Sequence, residues 1–263
     1  MHNPLHGDGP SPQFPLGGQL ALVTGASSGL GRRFARVLAD AGAKVIVSGR
    51  RAERLHSLVE EISASGGQAI AEVIDIRDAE QLPARIERLV QAHGPIRILV
   101  NNAGVGRTAT ALKTDLHEID DLFATNLRAP FVLCAEVARH LIAAGQPGRI
   151  VNIASVGAFH YSAGMAAALY CACKAAIVRL TEALAMEWAR HGINVNAIAP
   201  GLFETEMTQE HLNAFADSML ARMPRKRAGQ PEQLDSSLLY LVAPASEFVT
   251  GICLRVDDAQ YPR

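Results

Sequence analysis

Tyr170 and Lys174 stand four residues apart in a helical segment, so their side chains share one face of that helix. Such a pair can do acid/base chemistry. A free phenol has a pKa of about 10, too high for proton exchange near neutral pH, and a neighbouring cation lowers it by favouring the phenolate. Upstream, Ser155 ends an apolar run, where its hydroxyl can bond a substrate oxygen and stabilise charge developing there. A Tyr and a Lys at this spacing also describe an ordinary surface pair, so the surroundings decide. Tyr161 lacks the cation, because Met165 stands four residues on, and His160 beside it has no evident partner. A Ser-His-Asp hydrolase is excluded: Ile153-Ala154-Ser155-Val156-Gly157 is not the G-x-S-x-G elbow.

Thr24-Gly25-Ala26-Ser27-Ser28-Gly29-Leu30-Gly31 offers a place for a phosphate-bearing cofactor. Gly25 permits a tight turn, Gly29 lets backbone N–H groups approach a pyrophosphate, and Gly31 lets helix and strand pack closely. The segment follows the apolar run 20–23 and opens a helical stripe of Leu30, Phe34, Val37 and Leu38. The positive end of the helix dipole therefore faces the phosphates. Three glycines alone are a weak signal, but between a first strand and a first helix they are a strong one.

A larger frame has to position these residues. Apolar runs at 20–23, 44–47, 69–74, 96–100, 149–153, 193–198 and 251–256 read as strands. Helical patterns at 29–41, 53–64, 79–92, 116–143, 168–190 and 231–241 fill the gaps between them. Alternation of this kind calls for a parallel sheet covered on both faces, and continuous apolar strands are what such a sheet requires.

Several motifs, in this order and on these elements, resemble the short-chain dehydrogenase/reductase family. The turn spacing is TGxxxGxG. Asn101-Asn102-Ala103-Gly104 follows the fourth strand, as the family's NNAG does, and Asn126 matches its helical Asn. Ser155 closes the fifth strand, Tyr170-Cys171-Ala172-Cys173-Lys174 matches YxxxK, and Pro200-Gly201 follows the sixth strand. Gly229-Gln230-Pro231-Glu232 and Val249-Thr250-Gly251 fit the family's C-terminal third, so the resemblance covers roughly residues 17 to 257. It implies an α/β fold: a single doubly wound Rossmann-type domain with a seven-stranded parallel sheet and helices on both faces. It implies hydride transfer between a nicotinamide and a carbonyl or secondary alcohol, with Asn126, Ser155, Tyr170 and Lys174 catalytic. Asn126 resembles the residue that holds a water in the family's proton relay, and Lys174 the one that also holds the nicotinamide ribose. Cofactor contacts are implied at Gly25, Ser27, Ser28, Gly29, Leu30, Gly31, Asp75, Ile76, Asn102, Ala103, Gly104, Tyr170, Lys174, Pro200, Gly201 and Thr205, with Asp75 and Ile76 against the adenine.

The choice between NAD and NADP turns on charge at the end of the second strand. An acidic residue there would bond the ribose hydroxyls and repel a 2′-phosphate. The strand ends Val47-Ser48-Gly49-Arg50-Arg51, with no acid, and Arg50 offers a planar fork suited to phosphate. NADP(H) is favoured and NAD(H) remains open, since Arg50 and Arg51 also read as solvated charges entering a helix.

Bulk properties narrow the rest. The chain has 263 residues, 49% hydrophobic and 19% charged, with a formal net charge of -1. That is globular composition without the basic balance of a nucleic-acid binder. The cysteines Cys134, Cys171, Cys173 and Cys253 form no paired CxxC, so they read as buried thiols of a cytoplasmic protein, and no metal is expected. No apolar stretch is long enough for a membrane span. Residues 1–17 read as a flexible tail, 18–263 as one domain, and 201–230 as a lid over the substrate. The segment after Ser155 has no Arg or Lys and carries Phe159, Tyr161 and Met165, which suggests a small, neutral, partly apolar substrate. Arg222, Arg225, Lys226 and Arg227 of the lid are expected to face water. Two features depart from the family: a slightly longer loop between Ser155 and Tyr170, and Val256-Asp257-Asp258-Ala259 where VDGG is usual, which puts the terminal turn in doubt. A homo-oligomer, tetramer or dimer, is expected through small-residue faces of helices 116–143 and 168–190. The competing readings are an inactive NAD(P)-binding regulator of the same fold and a lyase or epimerase that uses the cofactor transiently.

Overall fold

The computed structural model describes residues 14–106, 109–161, 166–209, 212–213, 220–221 and 223–261. Strands β1 (Leu20–Thr24), β2 (Lys44–Gly49), β3 (Gln68–Val73), β4 (Ile96–Asn101), β5 (Gly148–Ile153), β6 (Ile193–Pro200) and β7 (Cys253–Val256) form one parallel sheet. Its order is β3-β2-β1-β4-β5-β6-β7. The chain order reverses between β1 and β4, and a crevice opens beyond the carboxyl ends of the strands at such a switch point.

Helices α1 (Gly29–Asp40), α2 (Ala52–Ala64), α3 (Leu82–His93), α4 (Leu116–Phe123), α5 (Ala129–Ala143), α6 (Ala168–Trp188) and α7 (Asp235–Val242) connect the strands. Alternate residues of β1 feed opposite faces of the sheet. Ala21 and Val23 join Phe34 and Leu38 of α1, Leu55 and Leu58 of α2, and Leu238 and Leu241 of α7. Leu20 and Leu22 join Ile86 of α3, Leu133 and Val137 of α5, and Leu184 and Trp188 of α6. Both faces are therefore covered, which is why the strands carry continuous apolar runs. Burying a side chain such as Phe34 stabilises the fold by about 1.5–3 kcal/mol.

Three sequence expectations are corrected. The helix expected over 116–143 is interrupted by a π-helical turn, Ala124–Arg128, that separates α4 from α5. Pro130 supplies the reason: it has no N–H for the carbonyl four residues back, that of Asn126, and its ring crowds that carbonyl. The helix expected over 231–241 begins as a 3-10 turn, Pro231–Leu234, before α7. The ordered chain also begins before residue 18, because Leu16 is fully buried and its N–H donates to the Ala41 carbonyl at 2.8 Å. Residues 1–13 of the expected tail lie outside the described residues, as do 162–165 and Arg222.

Candidate active site

A groove of about 580 Å³ runs along the carboxyl ends of the strands. One end is buried and proton-bearing. Lys174, on the second turn of α6, is buried, and its Nζ donates to the Ile153 carbonyl at 2.8 Å. The same Nζ lies 5.7 Å from the centre of the Tyr170 ring. Ser155, Tyr170 and Lys174 all line the groove, and Ser155 Oγ accepts from Gly157 N–H at 3.1 Å.

The electrostatics of this end differ from the expectation of a phenol lowered by its lysine. Burial pushes the Tyr170 phenol above its ordinary value, and the nearby Ser155 hydroxyl only opposes this. Burial likewise pulls Lys174 down to about 8. Desolvation disfavours both charged forms, so each residue moves toward neutrality.

Asn126 sits in the π-helical turn and does not line the groove. It is buried, its Oδ1 accepts from Val105 N–H at 2.9 Å, and its Nδ2 donates to the Val105 carbonyl at 2.9 Å. A side chain added at Gly104 would lie 3.1 Å from Asn126 Oδ1 and 3.7 Å from Lys174 Nζ, so the loop after β4 threads between these two residues.

The Gly-rich turn packs onto that same loop. Asn102 N–H and Ala103 N–H donate to Thr24 Oγ1 at 3.1 and 3.0 Å, and Asn102 Nδ2 donates to the Thr24 carbonyl at 3.0 Å. Gly25 has a φ of 67°, and a Cβ there would stand 2.8 Å from the Ala103 Cα, so no other residue fits without movement. A Cβ on Gly31 would collide with the Gly25 carbonyl and the Asn102 amide. Gly31 thus packs the helix against the turn without lining the groove. Gly25, Ser27, Ser28, Gly29, Leu30, Arg50, Asp75, Ile76, Asn102, Ala103, Gly104, Pro200, Gly201 and Thr205 do line it.

The far end is charged and open. Arg50 is exposed on the groove, while Arg51 reaches across it. Arg51 Nε donates to Ser27 Oγ at 3.1 Å, and its Nη2 to Ser28 Oγ at 2.7 Å. Arg51 also pairs with Glu206, as does Arg54. These arginines and the Ser28 hydroxyl hold the Glu206 carboxyl down at about 2. Asp75 is held below the usual carboxylate range chiefly by its hydrogen bond with Arg77. Sequence reasoning singled out Arg50 and missed the roles of Arg51, Arg54 and Glu206. Arg51 was legible as a second cation after β2, but nothing in the irregular 201–230 segment marks Glu206.

Of the residues read as substrate surface after Ser155, Phe159 and Tyr161 do not line the groove, and Met165 lies outside the described residues. Phe159 and Tyr161 are exposed. The Arg255 guanidinium lies 5.0 Å from the centre of the Phe159 ring, and His160 stacks on Tyr261 at 5.5 Å. The doubtful terminal turn exists without its glycines: Asp258 and Ala259 adopt φ of 51° and 59°. It anchors the segment that follows β6. Asp258 pairs with Arg225 at 3.1 Å and Arg227 at 2.8 Å, and Gln260 Oε1 accepts from Leu202 N–H at 2.7 Å. Arg225 and Arg227 therefore bind the protein's own carboxylate rather than reaching into the groove.

Among the described residues no group of His, Cys, Asp or Glu is arranged to hold a metal ion, and no helix is long and apolar enough to cross a membrane. Residues 19–214 match the family model for short chain dehydrogenases. The chain is 41% identical over 246 residues to gluconate 5-dehydrogenase of Gluconobacter oxydans, covering 93% of this chain and 95% of that one. It is 38% identical over 247 residues to the L-tagatose-forming galactitol 2-dehydrogenase of Cereibacter sphaeroides, covering 93% and 95%. A crystal structure of gluconate 5-dehydrogenase from Burkholderia cenocepacia, in complex with NADP and tartrate, superposes with a TM-score of 0.89 at 37% identity, covering 94% and 96%.

Proposed function

The chain belongs to the short-chain dehydrogenase/reductase family and is an oxidoreductase acting on CH–OH groups; from that premise we propose that it is an NADP(H)-dependent dehydrogenase/reductase of a small polyhydroxy compound. The observation that carries this is the meeting of Ser155, Tyr170 and Lys174 on one groove, with Lys174 Nζ 5.7 Å from the centre of the Tyr170 ring and the Gly-rich turn at the other end. An inactive regulator has no need of that arrangement.

The residues fit the cofactor. Gly29, which lines the groove at the start of α1 with a φ of 52°, carries no side chain over the helix N-terminus that would meet a pyrophosphate. Arg50 and Arg51 at the end of β2 suit a 2′-phosphate, Asp75 and Ile76 suit the adenine, and Asn102, Ala103, Gly104, Pro200, Gly201 and Thr205 line the path to Lys174. When bound, the nicotinamide supplies the hydride. In the reductive direction the Tyr170 hydroxyl, protonated at neutral pH because burial raises it, gives its proton to the substrate oxygen. Ser155 bonds the same oxygen, and Lys174 stabilises the phenolate left behind. Asn126 holds the loop after β4 in place through Val105 and keeps Lys174 and the groove floor in register.

The substrate is read as neutral. Lys174 is the one cation among the described residues lining the catalytic end, and Arg225 and Arg227 are already paired. A sugar acid is the second reading, favoured by the likeness to gluconate 5-dehydrogenase. Oxidation of NADPH by neutral ketoses and by keto-sugar acids, compared as kcat/KM, tests both. Net cofactor turnover is expected, and its absence with every carbonyl would return the chain to the lyase, epimerase or regulator readings. The chain from Leu16 onward forms one domain in this reading, with 201–230 as the lid. The protein is a cytoplasmic homo-oligomer, tetramer or dimer, whose exposed Phe123, Phe131 and Met186 on α4, α5 and α6 meet a second copy. Light scattering that gives a monomer at micromolar concentration would overturn the last point.

A further inference from the structure

We infer that Glu206 is a tethered anion that occupies the cofactor's 2′-phosphate subsite and must be displaced by that phosphate, so that it tunes the choice between NADPH and NADH. The inference rests on the NADP(H) reading above. Its ground is a juxtaposition. The adenosine ribose of a dinucleotide is read at the end of the second strand of such a fold. In this chain that place is marked by Gly49, where an added Cβ would stand 3.6 Å from Ser27 Oγ. A carboxylate from a remote segment lies at the same place. Glu206 Oε1 and Oε2 accept from Arg51 Nη1 and Nη2 at 2.9 and 3.0 Å, and both oxygens accept from Arg54 Nη1 at 3.1 Å. The Ser28 hydroxyl, on the same Arg51 Nη2 at 2.7 Å, lies beside this carboxyl. Arg51 is braced by Ser27 and Ser28 of the Gly-rich turn, which aims its fork at the carboxylate.

Two guanidinium groups and a hydroxyl converging on one anion make the donor set that a phosphate dianion uses. A carboxylate offers two oxygens and one charge to these donors, whereas a 2′-phosphate offers three oxygens and nearly two charges. The phosphate therefore wins the exchange, whereas a cofactor without it has no group to put there. Two consequences follow. Binding a 2′-phosphorylated nucleotide is opposed by the loss of the Glu206 contacts. It also frees the start of the lid, since Glu206 follows Thr205 on the groove and Met207 and Thr208 line the groove beyond it. Binding of an unphosphorylated nucleotide leaves Glu206 where it is.

The probes are adenosine 2′,5′-bisphosphate and 5′-ADP, which need no nicotinamide chemistry. Affinities are measured by calorimetry on the full chain and on Glu206→Gln. Glu206→Gln is expected to tighten the bisphosphate about threefold to tenfold, the range for an exposed charge network, and to leave 5′-ADP unchanged. Glu206→Asp, which keeps the charge on a shorter arm, is expected to fall between. Hydrogen exchange at Thr205–Thr208 is expected to rise when the unmodified chain binds the bisphosphate and to stay constant with 5′-ADP. If the bisphosphate is preferred in both proteins by the same ratio, Glu206 does not compete and the inference is wrong, while the NADP(H) reading stands. An equal change for both nucleotides, in either direction, makes Glu206 a general structural residue and also overturns it. If neither protein prefers the bisphosphate, the NADP(H) reading itself fails.

Discussion

The two ends of the groove handle charge in opposite ways. At the catalytic end, Lys174 is buried and desolvation alone pulls it down to about 8, while the same burial raises Tyr170. At the adenosine end, Glu206 is half exposed and is pulled down to about 2 by arginine partners. Burial acts on a group whatever the ionic strength, whereas exposed ion pairs weaken as salt rises. In the proposed reaction, burial therefore governs the proton-bearing pair, and screened charge governs cofactor discrimination.

Removing the acid at the buried end has the largest expected effect. Tyr170→Phe should lower turnover at least about a hundredfold while nucleotide affinity is retained, since a general acid contributes about that much or more. Steady-state rates paired with NADPH titration by fluorescence check this, and near-normal turnover would move the acid elsewhere.

The open end should respond to charge and to salt. Arg51→Ala is expected to weaken NADPH about tenfold and NADH little, the size of a charged hydrogen bond discounted for exposure. Arg50→Ala should do less, because Arg51 and not Arg50 is braced by Ser27 and Ser28. NADPH affinity should fall with added salt while turnover at saturation stays level. Titration of both cofactors at two salt concentrations decides, and a larger loss from Arg50→Ala would reverse the assignment.

A smaller effect separates the two titrating groups of the catalytic end. In the reduction proposed above, Tyr170 must be protonated and Lys174 charged. Tyr170 stays protonated well beyond neutrality, whereas Lys174 loses its proton as pH rises through about 8. The kcat/KM for reduction should therefore be level at neutral pH and fall about threefold between about pH 7.5 and 8.5, as one group titrating near 8 requires. A profile that stays flat up to about pH 10 would show that Tyr170 alone governs the rate.

The smallest expected effect lies outside the groove. Ala259 holds a left-handed φ of 59° in the terminal turn, a conformation that costs an L-residue free energy and glycine almost none. Ala259→Gly should stabilise the fold by about 0.5–1 kcal/mol, less whatever glycine adds to the entropy of the unfolded chain. Denaturant unfolding measures it. A loss of stability would mean that the Ala259 side chain packs against the lid.

The sheet, its parallel direction and its two covered faces were legible in the sequence because they follow from apolar periodicity, which is local. Gly25, Gly31, Ser155, Tyr170 and Lys174 were legible because each belongs to a short motif whose spacing fixes its neighbours. The break at Pro130 was less legible, since one proline inside a long apolar helix pattern signals either an end or a kink, and only packing decides. The direction of the Tyr170 shift was beyond the sequence: spacing places a cation one turn away, but the balance between that cation and desolvation depends on how deeply both are buried. Glu206 and Asp258 were beyond it for a related reason. Their arginine partners lie on segments remote in the chain, and only the fold brings Glu206 to the end of β2 and the terminal turn to Arg225 and Arg227.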